Sequence, residues 1–182
     1  LAALSGRPWL LLIFYLPLWE LLRPMVEWVF LKGLAPRRLP RLELKGVVPE
    51  EGRTLITVST LLPAADKAAA AAIKLARLYN TNGRGAVQIC LLADLKQAMY
   101  PEMPQDRSDI AAMSREIARL NKAAGEVFVL AVRPREYSPT MKAYTGRERK
   151  RGALEQLARY IRDGDNRFLA LEGDLAALRR TK

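Results

Sequence analysis

The residues best suited to bind a ligand lie in the stretch YTGRERKRGALEQLARYI, residues 144–161. Four cations fall within residues 147–151, and two glycines, Gly146 and Gly152, flank them. The residues that follow predict a helix, so the cations lie at its amino-terminal end, where the helix dipole is already positive and cations are disfavoured. This placement indicates an anionic ligand such as phosphate, with a solvated run of charge as the alternative.

The composition limits the class of partner. The chain has 182 residues and a net charge of +11, with 50% hydrophobic and 27% charged residues, which is typical of a globular domain. This charge suits nucleic acid, anionic lipid or a phosphorylated small molecule. Nearly half of the aromatic residues lie within the first thirty residues, away from the basic cluster. We therefore do not expect nucleic acid as the partner.

Two residue types exclude several kinds of catalysis. The sequence contains no histidine, which removes Ser-His-Asp chemistry and most zinc sites. The one cysteine, Cys90, cannot form an internal disulfide, so a reducing compartment is favoured. Because Cys90 lies in an apolar run, we expect it to be buried and inert.

Residues 8–34 form the most apolar segment. Its uncharged part, residues 8–19, is shorter than the roughly 20 residues of a membrane span, and Pro17 and Pro24 should kink it. We interpret it as a membrane-associated helical hairpin or the end of a membrane bundle, with a core helix separated from its partners as the alternative. The basic residues at 32–41 place the adjoining part on the cytoplasmic side by the positive-inside rule.

The remainder alternates between apolar β-branched runs and amphipathic segments. This alternation predicts an α/β fold with a mostly parallel sheet and flanking helices. The chain starts without methionine and its hydrophobic pattern stops in mid-fold, so we expect a segment of a longer protein. The predicted strands are 53–60, 86–95 and 126–132, the predicted helices are 65–80, 108–125 and 148–163, and the predicted domains are 1–35 (membrane-associated), 36–52 (linker) and 53–182 (globular).

Ligands of parallel sheets bind at the carboxyl ends of the strands. Ser59, Thr60 and Asp94 fall at such ends, as does the loop after Val132. The basic segment at 147–152 follows that loop and can reach the same edge. Neither a dinucleotide fingerprint nor a P-loop is present, so the residues alone predict an α/β domain that binds an anionic ligand at a membrane.

Three further segments of the sequence are informative: PRRLPRLELKGVVPEEGRTLITVSTLL (36–62), LLADLKQA (91–98) and GRERKRGALEQL (146–157). They resemble the central glycosyltransferase region of the cyclic β-1,2-glucan synthases. The resemblance covers the chain from about residue 36 to its end. It implies a divergent relative, because Ser59 stands where that family has a proline and Arg147 where it has an aromatic residue.

The resemblance implies the amino-terminal part of a GT-A-type, inverting glycosyltransferase domain. The enzyme would transfer glucose from UDP-glucose to a β-glucan acceptor with a divalent metal, Mg or Mn, at the cytoplasmic face of a bacterial inner membrane. By the same resemblance, Ser59 and Thr60 would lie near the uracil and Asp94 would hold the nucleoside.

The basic segment gains specific roles from the resemblance. Lys150 would face the diphosphate as a point charge, and the neighbouring Arg149 and Arg151 would add bidentate contacts to its oxygens. Gly152 would allow the backbone to approach closely.

The resemblance also implies what this chain lacks. The metal-binding aspartates, the catalytic base and the acceptor-binding elements would follow its last residue, so we expect no catalytic or metal-binding residue here and no activity from the chain alone. Glu172 and Asp174 could be metal ligands, but a helix starting at Asp174 is the preferred interpretation. The alternative function is a non-catalytic basic α/β domain on an anionic membrane surface.

Overall fold

A computed structural model describes residues 9–34, 46–83 and 85–181. The chain divides after Glu43 into two units, which are described separately. Most of the predicted linker, up to residue 45, lies outside the described residues.

The described part of the first unit is one helix, α1 (Trp9–Gly33). It continues through both Pro17 and Pro24, so the predicted hairpin is wrong. An interior proline removes one backbone hydrogen bond, but no turn-forming residue lies between the two prolines to reverse the chain. The side chains from residue 13 to residue 34 are exposed, apolar ones included.

The interpretation of residues 8–34 as the end of a membrane bundle is not supported by the described helices. None of the helices in the described ranges is long and apolar enough to cross a bilayer. Charged residues interrupt α1 in its second half, where Arg23 donates a hydrogen bond to Glu27 at 2.8 Å and Lys32 lies 3.7 Å above the ring of Trp28.

The second unit alternates strands and helices. In chain order its elements are β1 (Thr54–Leu61), α2 (Ala68–Asn82), β2 (Val87–Asp94), α3 (Asp106–Ala124), β3 (Phe128–Arg133), β4 (Glu136–Ser138), β5 (Ala143–Thr145), α4 (Arg149–Asp163), β6 (Ala170–Glu172) and α5 (Leu175–Arg179).

The main sheet has the strand order β1-β2-β3-β6. The first three strands are parallel and β6 is antiparallel to β3, so the predicted mostly parallel α/β sheet is confirmed. Among the described strands, β1 and β6 form the two edges. The register aligns the carboxyl ends of β1, β2 and β3 at one edge of the unit.

Each face of the sheet is covered by helices. Alternate residues of β2 pack in opposite directions, Ile89 and Leu91 into a core with α2 and α3, and Cys90 and Leu92 into a core with α4 and α5. Because both faces are covered, β2 and β3 are fully buried, and apart from Gln88 and the strand-end residues Asp94 and Arg133 they consist of apolar residues.

Two short regions differ from the prediction. The predicted loop after β3 contains an antiparallel hairpin, β4–β5, in which the rings of Tyr137 and Tyr144 pack edge to face at 5.4 Å. The last residues form β6 and α5. The predicted helix start at Asp174 is confirmed, because its carboxylate accepts a hydrogen bond from the backbone N–H of Ala177 at 2.9 Å.

Candidate functional site

The candidate site lies at the carboxyl ends of the parallel strands. Leu61, Asp94 and Arg133 are register partners and form one row across the three strands. Asp94 and Arg133 continue the alternation of Cys90 and Val129, so they face α4.

A buried ion pair forms the base of this site. The guanidinium of Arg133 binds the carboxylate of Asp94 in bidentate fashion, Nε to Oδ1 at 2.6 Å and Nη2 to Oδ2 at 3.0 Å. Their side chains are only 5% and 9% exposed. Both carboxylate oxygens accept from Arg133, and with its side chain only 9% exposed Asp94 offers little surface to a nucleoside.

The same guanidinium reaches the basic segment. Arg133 donates from Nη1 and Nη2 to the backbone carbonyl of Arg147, both at 3.2 Å, and from Nη2 to that of Arg149 at 3.1 Å. Gly146 lies against the pair, because a Cβ there would be 2.6 Å from Oδ2 of Asp94. The structure therefore brings Asp94 and the basic segment together.

Helix α4 begins within the basic segment. Its first turn carries no acidic residue, and the side chain of the N-cap residue Glu148 makes no capping hydrogen bond. The side chains of all four cations are exposed, and Arg151 approaches Glu148 at 3.6 Å. Positive charge is thus concentrated where the helix dipole adds to it, which makes this surface attractive to anions.

The backbone at the start of α4 is strained. Glu148 and Arg149 have φ values of 51° and 36°, in the left-handed region that side chains disfavour. Such residues cost of order 1–3 kcal/mol each and persist only where their surroundings fix them, which is common at functional sites.

Gly152 is required by the same turn. A Cβ at Gly152 would be 2.4 Å from the carbonyl oxygen of Arg147 and 3.3 Å from Nη1 of Arg133. The close backbone approach expected at this glycine therefore occurs within the protein, where the turn folds back onto α4.

Two cavities open beside the basic segment. One, of about 300 Å³, is lined by several arginines, among them Arg133, Arg147 and Arg151, and also by the carboxylates of Glu136, Glu148, Glu155 and Asp165. The other, of about 570 Å³, is lined by Arg147 and Arg149 together with residues of the β4–β5 hairpin. Lys150 lines neither cavity.

Ser59 and Thr60, the two residues predicted at the end of β1, face opposite sides of the sheet. Ser59 is half-buried on the face that carries Asp94, whereas Thr60 faces the other side and lines a cavity against α2 with Lys67 and Lys74. Adjacent residues of a strand point to opposite faces, so the two side chains cannot both join one site on the α4 face.

A second buried ion pair holds the neighbouring loop. Arg135 binds the carboxylate of Asp106 in bidentate fashion, with Nη2 at 2.9 Å from Oδ1, and also donates to the carbonyl of Pro101 at 3.1 Å. Hydrogen bonding by Arg135 lowers the pKa of Asp106 from its ordinary value, although burial opposes this shift.

Neither Arg133 nor Arg135 is among the site residues predicted from the sequence. Both belong to the segment after Val132, which is predicted at the ligand-binding edge without a role for either arginine. Both are buried, and they pair with Asp94 at the end of β2 and with Asp106 at the start of α3. An available signal was the RPR triplet after a buried strand, since a cation at a strand end next to Asp94 needs a counter-charge.

The described residues support neither a reactive thiol nor a metal site. Burial raises the pKa of the Cys90 thiol to about 12, so it stays protonated. In the described ranges no group of three or more His, Cys, Asp or Glu side chains could hold a metal ion, and Ser114 donates a hydrogen bond to Glu172 at 2.8 Å.

No protein-family model matches the chain. Among curated proteins it is similar to the cyclic beta-(1,2)-glucan synthase NdvB of Rhizobium meliloti (strain 1021), with 33% identity over 165 residues. The chain is a divergent relative of the cyclic β-1,2-glucan synthases. The match covers 88% of this chain and 6% of the length of that cyclic β-1,2-glucan synthase. The resemblance noted in the sequence is thereby confirmed.

Proposed function

We propose that the chain is part of a glycosyltransferase that builds a β-glucan, and that it carries the surface which binds the sugar-nucleotide donor. The donor would be UDP-glucose, the linkage β-1,2 and the mechanism inverting. The observation that carries the proposal is the exposed basic segment at the carboxyl edge of the sheet, in a relative of a protein named as a β-glucan synthase.

The charge of this surface suits a diphosphate. Arg147, Arg149 and Arg151 can each offer paired N–H donors to phosphate oxygens, and Lys150 a compact point charge. A group that stabilises the charge of a leaving nucleotide diphosphate lowers the barrier to transfer. The cavities beside the segment, about 300 and 570 Å³, fall in the range of about 300–1,000 Å³ that is common for small-molecule sites.

A divalent metal would assist the departure of UDP in the complete enzyme. The described residues do not fit such a metal, since they offer no ligand cluster for it. The proposal therefore assigns metal binding, the catalytic base and acceptor binding to none of them.

UDP binding tests the donor site. We would titrate the chain with UDP by calorimetry, comparing wild type with Lys150→Ala and Arg149→Ala. Loss of one charged contact should weaken UDP binding about 10- to 100-fold. Lys122→Ala is the matched control, because Lys122 is exposed in the last turn of α3 and carries the same charge. Equal UDP affinity in all four proteins would refute the site.

The second candidate is a basic domain on an anionic membrane surface, which the concentration of four exposed cations also favours. It predicts binding to vesicles of phosphatidylglycerol that is lost at high salt and on neutralising residues 149–151. It also predicts no affinity for UDP, so the same set of variants separates the two functions.

A further inference from the structure

We propose that Arg133 is the positioning residue of the anion-binding segment, and that Asp94 acts through Arg133 and not by contact with the ligand. The proposal rests on the proposed function for its ligand, UDP. Its structural part concerns only residues 146–152 and can be measured without any ligand.

Nearly all the N–H donors of Arg133 are used in two sets of hydrogen bonds. One edge of the guanidinium binds both oxygens of Asp94, at 2.6 and 3.0 Å. The remaining donors bind the carbonyls of Arg147 and Arg149, at 3.1–3.2 Å. The planar group therefore links the end of the sheet to the backbone of the basic segment.

The two carbonyls flank the strained pair Glu148 and Arg149. Left-handed residues persist only when neighbouring structure fixes them, and Arg133 holds the peptide unit just before Glu148 and the one just after Arg149. The direction in which Arg147 and Arg149 leave the backbone thus depends on this guanidinium.

Asp94 supplies the counter-charge for the buried guanidinium of Arg133. A cation with a 5% exposed side chain requires a counter-charge, and a carboxylate in the register position next to Arg133 provides it. Lysine could not replace Arg133, because one ammonium cannot bind a carboxylate in bidentate fashion and two carbonyls in fixed directions. Gly146 and Gly152 leave room for this arrangement.

The matched control is the other buried pair. Arg135 also binds its carboxylate partner, Asp106, in bidentate fashion, through Nη1 and Nη2, and is similarly buried. Its carbonyl contacts are to Lys96 and Pro101, away from the basic segment. Arg133→Lys and Arg135→Lys therefore cause similar chemical damage to a buried pair at two different places.

The experiment combines hydrogen exchange with UDP titration on the full chain. We expect Arg133→Lys and Asp94→Asn to lose amide protection at 147–152 and to weaken UDP binding by about tenfold or more. Arg135→Lys should leave both quantities close to wild type, even if its urea midpoint falls as far.

The outcomes separate the two proposals. Unchanged protection of 147–152 in Arg133→Lys overturns the positioning role, whatever UDP does. Wild-type UDP affinity in a folded Arg133→Lys variant overturns it as well. If wild type itself does not bind UDP, the proposed function fails, and the positioning role is then decided by the exchange data alone. Should Arg133→Lys not fold, Asp94→Asn supplies the same comparison.

Discussion

The substitution Gly152→Ala tests the tight turn at the start of α4. In an ordinary helix, alanine is more stable than glycine by about 0.5–1 kcal/mol. Here the new Cβ would be 2.4 Å from the carbonyl oxygen of Arg147, whereas carbon–oxygen contacts are normally about 3.3 Å or longer. The carbonyl must therefore move by roughly 0.9 Å.

That movement breaks a specific contact. The carbonyl of Arg147 accepts hydrogen bonds from Arg133 at 3.2 Å, and a shift of this size takes them beyond hydrogen-bonding distance. A hydrogen bond to a charged group contributes about 1.5–3 kcal/mol. Subtracting the helix-propensity gain leaves a net destabilisation of about 0.5–2.5 kcal/mol.

Urea unfolding followed by circular dichroism is the appropriate assay. All three tryptophans lie in α1, so their fluorescence would not report on the α/β unit. The control Ala158→Gly, at an exposed position of α4, measures the propensity term in the same helix and should be destabilising. A rise in the urea midpoint of Gly152→Ala would show that Gly152 is an ordinary helical residue and would refute the turn's role.

Two further predictions concern buried groups. Asp106→Asn should destabilise the protein by about 3–5 kcal/mol at neutral pH, since buried Arg135 loses its counter-charge. Because Arg135 lowers the folded-state pKa of Asp106, the stabilisation is present above the unfolded carboxyl pKa and is lost as pH falls through the folded value. The difference in unfolding free energy between wild type and variant should therefore shrink below about pH 4, and a constant difference would contradict this. Cys90, whose thiol pKa burial raises to about 12, should react with a thiol reagent at pH 8 only after unfolding, and rapid labelling of native protein would show that it is accessible.

The long elements of the fold could be predicted because each has a strong local signal. The buried strands β2 and β3 are largely apolar, with uninterrupted apolar runs at 89–93 and 128–132. The amphipathic pattern of α3 ends at Gly125, which has a left-handed φ of 80°. The strands β4, β5 and β6 are each only three residues long. Such strands are too short for a period of two to be recognised and depend on tertiary pairing.

Part of the site could also be predicted. That Asp94 and the basic segment meet follows from the parallel topology, because the strand ends share one edge. The pairing of Asp94 with Arg133 could not be read from the sequence, since it depends on the register between two strands. The separation of Ser59 and Thr60 onto opposite faces was available from strand alternation alone.

The unpaired outer edge of strand β1 affects how the isolated protein behaves in solution. It is eight residues long with apolar side chains on both faces, and among the described residues nothing pairs with its outer edge. A long apolar edge of this kind is a template for strand addition by another molecule. Self-association of the isolated chain should therefore grow with concentration, and the substitution Thr57→Lys, in the middle of this strand, should suppress it.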